Sequence, residues 1–236
     1  MKPDWTSKCG TIQLYNADCR DVLPTLAADQ IIADPPYGIA YVKGAGGNGA
    51  HSKRNIKAIH SDDEPFDPSH LLRFGNVLLW GASHYSQALP MGRWLAWDKL
   101  DGMDQFDSFS DVEFAWHSRK GASRVFRYRW KGIACVKAGE NNGARYHPTT
   151  KPLALMRWCI EQSGSLEGNV VCDPYMGSGS TGVACVQTGR KFIGVEIDQE
   201  HFDMSVSRIT AELSRAPLFD PPAAVQSTMF DQITKD

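Results

Sequence analysis

The chain has 236 residues, with 25 basic against 27 acidic side chains, a net charge of −2 and 42% apolar residues. These values exclude a disordered polyelectrolyte and leave enough apolar side chains for one full hydrophobic core. No run of about 18 apolar residues occurs, and the opening MKPDWTSKCG lacks the apolar centre of a secretory signal, so a cytoplasmic protein with no membrane partner is expected.

In chain order, short apolar or β-branched runs recur as TIQLYNA, QIIAD, NVLLWG, RWLAW, VEFAW, NVVCD and KFIGVEI. Several are continuous rather than alternating, which predicts strands buried on both faces of a sheet. Helical patterns lie between them in SHLLRF, KPLALMRWCIEQS, STGVACVQTG and QEHFDMSVSRITAELS. Alternation of strand and helix predicts an α/β fold with a doubly wound, mostly parallel mixed sheet. One domain over residues 1–216 is expected, carrying a polar, glycine-rich mobile loop at about 38–68 and a small insertion at about 119–146. Residues 217–236 read as a proline-punctuated tail. Six cysteines, Cys9, Cys19, Cys135, Cys159, Cys172 and Cys185, show no C-x-x-C spacing, so neither a metal site nor a disulfide framework is expected.

Two stretches depart from simple patterning. In IIADPPYGIAY, Pro35 and Pro36 lack N–H groups and have fixed φ, so they end the strand and hold Asp34 and Tyr37 on a stiff turn. In VVCDPYMGSGSTGVACVQTGRKFIGVEID, Gly177, Gly179 and Gly182 match G-x-G-x-x-G, with an acid, Glu196, after the next strand. The pattern admits a dinucleotide site or another nucleoside ligand; either way the glycines allow close approach to the backbone and the acid can take ribose hydroxyls. Only one clear strand and one helix follow this loop, so upstream strands must complete the sheet. The order is therefore circularly permuted from a Rossmann fold, and the strands ending at Asp173, Asp34 and Asp18 should meet side by side at one carboxyl edge.

Charge is unevenly placed. Residues 38–61 hold Lys43, Lys53, Arg54 and Lys57 with no acid, and residues 117–139 hold Arg119, Lys120, Arg124, Arg127, Arg129, Lys131 and Lys137, again with none. The second stretch interleaves its cations with Val125, Phe126, Tyr128 and Trp130. Two acid-free segments around one proline turn point to a polyanionic partner.

Asp34-Pro35-Pro36-Tyr37, then H-P-T-T-K-P from His147 to Pro152, then D-P-Y-M-G-S-G-S-T-G from Asp173 to Gly182, resemble the catalytic, cofactor-tail and S-adenosylmethionine motifs of amino-group DNA methyltransferases. Catalytic motif first and cofactor loop last is the order of the β class, and the resemblance runs from Thr11 to about Leu213. Tyr175 stands where phenylalanine is usual and Ser180 where threonine is common, and residues 119–146 are short for a target-recognition domain.

The resemblance implies S-adenosylmethionine as methyl donor and the N6 amine of a flipped adenine in double-stranded DNA as acceptor, as in restriction–modification enzymes. It implies that Asp34 and the Pro35 carbonyl accept the amine hydrogens, that Pro36 stiffens the turn and that Tyr37 stacks on the base. It further implies that Asp173, Tyr175 and residues Gly177, Ser178, Gly179, Ser180 and Thr181 surround the methionine portion, close to Asp34. Glu196 would take the ribose, Ile197, Asp18 and Cys19 the adenine, and Lys151 the methionine carboxylate. Lys43, Lys53, Arg54, Lys57, Arg119, Lys120, Arg124, Arg127 and Arg129 are expected on DNA. Cytosine N4 is an alternative acceptor; a nicotinamide-dependent oxidoreductase and an inactive DNA-binding protein are rivals from other classes. A homodimer is a further expectation. So is docking on a sliding clamp through Gln226-Ser227-Thr228-Met229-Phe230, which resembles a glutamine-x-x-aliphatic-phenylalanine clamp peptide.

Overall fold

The computed structural model describes residues 1–38, 63–101, 110–130 and 151–215. Nine strands lie among the described residues: β1 (Trp5–Thr6), β2 (Ile12–Asn16), β3 (Gln30–Ala33), β4 (Val77–Trp80), β5 (Arg93–Asp98), β6 (Val112–His117), β7 (Arg124–Arg127), β8 (Val170–Asp173) and β9 (Lys191–Glu196). They form one sheet in the order β1-β2-β9-β8-β3-β4-β6-β5-β7. The central run from β2 to β4 is parallel throughout. Antiparallel pairing enters at β1, at β4–β6 and at β6–β5, and β7 closes the far edge parallel to β5. This is the mostly parallel mixed α/β sheet that the sequence predicts.

The α-helices are α1 (Cys19–Val22), α2 (Ser69–Leu72), α3 (Leu153–Gln162), α4 (Ser180–Gln187) and α5 (Gln199–Leu213). Strand β4, VLLW, shows why continuous apolar runs were needed. Leu78 and Trp80 join the core built with α3, α4 and α5, while Val77 and Leu79 join the core built with Cys19, Val22 and Leu71 of α1 and α2. All four are fully buried, each contributing about 1.5–3 kcal/mol of transfer free energy. Helix α5 starts where the Asp198 carboxylate accepts the N–H groups of Glu200 and His201; that satisfies two orphan donors and fixes the exit from β9. Its buried positions Phe202, Ser205 and Ile209 follow helical spacing.

Two features differ from expectation. Strands β1 and β7 were not foreseen: β1 has only two residues, and β7 (RVFR) is an exposed, basic edge strand, so neither carries a buried apolar run. Strand β9 lies between β2 and β8, so the Asp18 strand is not beside the Asp173 strand, although β8 and β3 are neighbours. A Cβ on Gly38, whose φ is 72°, would overlap the Glu64 carbonyl and Pro65, so the chain on either side of residues 39–62 meets at one point. Lys43, Lys53, Arg54, Lys57, His147, Lys131, Lys137 and the 226–230 peptide lie outside the described residues.

Candidate active site

The carboxyl ends of β2, β9, β8, β3 and β4 form one edge. Because β6 runs antiparallel to β4, the start of β6 reaches the same edge, with Trp80 opposite Ala115. Asp34, Asp173 and Glu196 are thus delivered by the ends of β3, β8 and β9, and Glu113 by the beginning of β6.

At the β3 end the side chains form a chain of alternating charge. Lys151, just before α3, points its ammonium at Asp34 Oδ2 (2.6 Å) and at Glu113 Oε2 (3.3 Å). Lys99 meets the other Glu113 oxygen at 3.2 Å. The Tyr37 hydroxyl donates to Asp34 Oδ1 and lies 3.5 Å from Lys151 Nζ. Lys151 also sits 5.8 Å from the centre of the Trp80 ring, within the range of a cation–π contact. Burial works against the Lys151 ammonium, but Asp34 and Glu113 outweigh it and hold its pKa well above the usual lysine value. Burial likewise works against the Glu113 carboxylate, but Lys151 and Lys99 prevail and lower its pKa. Burial, then the Asp34 charge, pushes the Tyr37 phenol well up.

Tyr37 packs against the end of β4. Its ring stacks on His84 with centroids 5.1 Å apart and planes 12° apart. Gly81 is left-handed with φ 67°, and a Cβ there would overlap the ring; glycine is needed for both reasons.

The glycine loop joins β8 to α4. Asp173 accepts the Thr181 hydroxyl at 2.6 Å and the Tyr175 N–H at 3.1 Å, yet burial prevails and raises its pKa to about 7. Glu196 accepts the Gly177 N–H and the Asp198 N–H, each at 2.9 Å, so its carboxylate is fixed at both oxygens. Arg208 from α5 holds the loop from behind, at 2.5 Å from the Ser178 carbonyl and 2.8 Å from its hydroxyl. Gly177 has φ 50° and nothing within 4 Å of an added Cβ, whereas Gly179 packs against α5, its Cβ position 2.9 Å from Ser205. Ile197 is 42% exposed beside the loop. Asp18 caps α1 through the Arg20 N–H, and the buried Cys19 follows it. Tyr175 meets His70 at 2.8 Å and takes the edge of Phe66.

The structure therefore brings together Asp34, Pro35, Pro36, Tyr37 and Lys151, and separately Asp173, Tyr175, residues 177–181, Glu196 and Ile197. Lys151 has carboxylate partners that its motif did not suggest. The basic residues are not one patch. Arg127, 3.7 Å from Asp98, lies at the Asp34 edge, whereas Arg119 and Lys120 follow the end of β6 at the opposite edge, because that strand runs backwards. Glu113, Trp80 and His84 were missed. The signal for Glu113 was an acid within V-E-F-A-W facing the same way as the buried Ala115, a position that requires a partner.

Comparisons with known proteins bear on this geometry. Residues 104–207 match the family model described as DNA methylase. That is the family expected from the three motifs. A 63-residue stretch is 44% identical to DNA adenine methyltransferase YhdJ of Escherichia coli (strain K12), covering 27% of this chain and 21% of that protein. An 83-residue stretch is 41% identical to Type II methyltransferase M2.DpnII of Streptococcus pneumoniae, covering 35% and 30%. The chain thus spans less than a third of either relative's length. Two solved structures share the fold. The M1.HpyAVI–SAM complex has a TM-score of 0.52 at 22% identity, covering 84% of this chain and 98% of that one. PvuII DNA methyltransferase (cytosine-N4-specific) has 0.58 at 14%, covering 88% of each.

Proposed function

We propose that this chain is a DNA methyltransferase that moves a methyl group from S-adenosylmethionine to the N6 amine of an adenine flipped out of double-stranded DNA, with no covalent intermediate. One observation carries the reading. Asp34 and the glycine loop stand at the ends of neighbouring strands, β3 and β8, so donor and acceptor would share a single cleft.

The donor fits the residues present. The open side of Gly177, the fixed Glu196 carboxylate and the exposed Ile197 support a nucleoside lying along the β9 edge. Asp18, Cys19, Asp173, Tyr175 and residues 177–181 would complete its surroundings. When bound, S-adenosylmethionine supplies an electrophilic sulfonium methyl.

The remaining work belongs to the chain. An adenine amine is a weak nucleophile because its lone pair is delocalised into the ring. Asp34 and the Pro35 carbonyl accept its two hydrogens and favour a pyramidal nitrogen, and the proline turn holds these acceptors in place before substrate arrives. Tyr37, now stacked on His84, offers its ring to the flipped base, replacing stacking lost on extrusion. The relative named for adenine, YhdJ, and an aspartate at position 34 favour adenine N6 over cytosine N4. A basic Arg127 at the same edge supports DNA as partner; a second copy and a sliding clamp are further partners we propose from sequence.

The test is methylation of genomic DNA by the purified chain, with modified bases mapped by single-molecule sequencing. N6-methyladenine is expected, and Asp34→Ala should remove most turnover while methyl-donor affinity stays within roughly tenfold. Full activity in Asp34→Ala, or modified cytosine instead, would overturn the assignment.

A further inference from the structure

We infer that Glu113 is a positioning residue that receives the Lys151 ammonium when a substrate amine engages Asp34. The inference rests on the function proposed above and deepens it.

In the structure Asp34 is already engaged. The Tyr37 hydroxyl holds Oδ1 and Lys151 holds Oδ2 at 2.6 Å. An ammonium at that distance draws off the negative charge that the incoming amine needs, since charge-assisted hydrogen bonds are about twice as strong as neutral ones. For Asp34 to act as acceptor, the ammonium must withdraw without becoming an unpaired buried charge, which would be strongly unfavourable.

Glu113 supplies the alternative. Its Oε2 is buried, accepts no hydrogen bond and faces Lys151 Nζ at 3.3 Å, against 2.6 Å for Asp34. A movement of under about 1 Å exchanges the short partner for the long one, well within the reach of four rotatable side-chain bonds. Two other contacts guide it. Lys99 fixes the opposite Glu113 oxygen at 3.2 Å, so the carboxylate stays put, and the Trp80 ring lies beside the ammonium at 5.8 Å. The role assigned to Glu113 is indirect: it acts through Lys151.

Steady-state kinetics and calorimetric titration of the methyl donor test the inference on the full chain. Glu113→Gln should lower kcat about 10- to 100-fold, with donor Kd and the KM for DNA within about threefold, because the lost contact acts in turnover and not in ground-state binding. Glu113→Asp keeps the charge at a shorter reach, and its kcat should fall only about two- to tenfold. Should the amide variant fail to fold, as read by circular dichroism, the aspartate variant carries the same split between kcat and donor affinity. A kcat within twofold of wild type in Glu113→Gln, a parallel loss of donor affinity, or an aspartate no better than the amide overturns it while leaving the proposed function intact. An inactive wild-type chain removes the function and the inference together.

Discussion

Asp173 makes the folded chain a proton sink near neutrality, and the effect can be isolated by Asp173→Asn. The carboxyl is 4% exposed, and burial raises its pKa from 3.8 to about 7. The native state therefore binds the proton more readily than the unfolded chain, so stability rises as pH falls through this window. From about pH 7.5 to about pH 5.5 linkage gives a gain of roughly 2 kcal/mol from this group alone. His117 opposes it. Burial and the nearby Arg93 and Arg119 lower its pKa from 6.5 to about 4, so its contribution is present above the unfolded value and declines by roughly 1.4 kcal/mol over the same interval. His70, also lowered by burial, acts in the same direction as His117. The wild-type slope alone is thus uninformative, but the difference between wild type and Asp173→Asn cancels both histidines. Asparagine keeps an oxygen for the Tyr175 N–H and cannot titrate. Urea unfolding of both chains at the two pH values should show wild type gaining roughly 2 kcal/mol more than the variant on acidification. Parallel pH dependence, or a larger gain in the variant, refutes the reasoning.

Two further outcomes follow from the loop and the edge strand. Gly177→Val meets no protein atom but carries φ 50°; it should cost about 1–2 kcal/mol of stability from backbone strain and weaken donor binding more than about tenfold by filling the approach. Unchanged affinity by titration would place the donor elsewhere. Arg127→Gln with Arg129→Gln should flatten the dependence of DNA affinity on salt by about one to two units of slope, whereas Arg119→Gln with Lys120→Gln, at the opposite edge, should leave it alone. Equal effects in fluorescence anisotropy would contradict the separation of the two groups.

The sheet was legible because β3, β4 and β8 are short, mostly apolar runs without alternation, as strands buried on both faces of a sheet are. The turn at Asp34 and the glycine loop were legible because proline and glycine impose backbone geometry locally. What could not be read was the meeting of distant side chains. Glu113 lies in a run that reads only as a strand, and nothing local says that an antiparallel reversal carries it to Lys151. The same reversal sends Arg119 away from Arg127, although eight positions separate them in sequence. Strand β9 came between β2 and β8 for a similar reason: register across a sheet is set by pairing between remote segments, which spacing along the chain does not encode.

The close approach of Gly38 to Glu64 has a consequence for how this protein can change. The chain departs and returns through a stem one residue beyond Tyr37, where Gly38 meets Glu64 and Pro65. Closing a flexible loop becomes harder only slowly with length, by about 0.6 kcal/mol per doubling. Residues could be added or removed there over generations, or a reporter peptide inserted by design, while the proline turn keeps its aim. A stem so close to the proline turn is where a change of length should disturb the aim of Asp34 least.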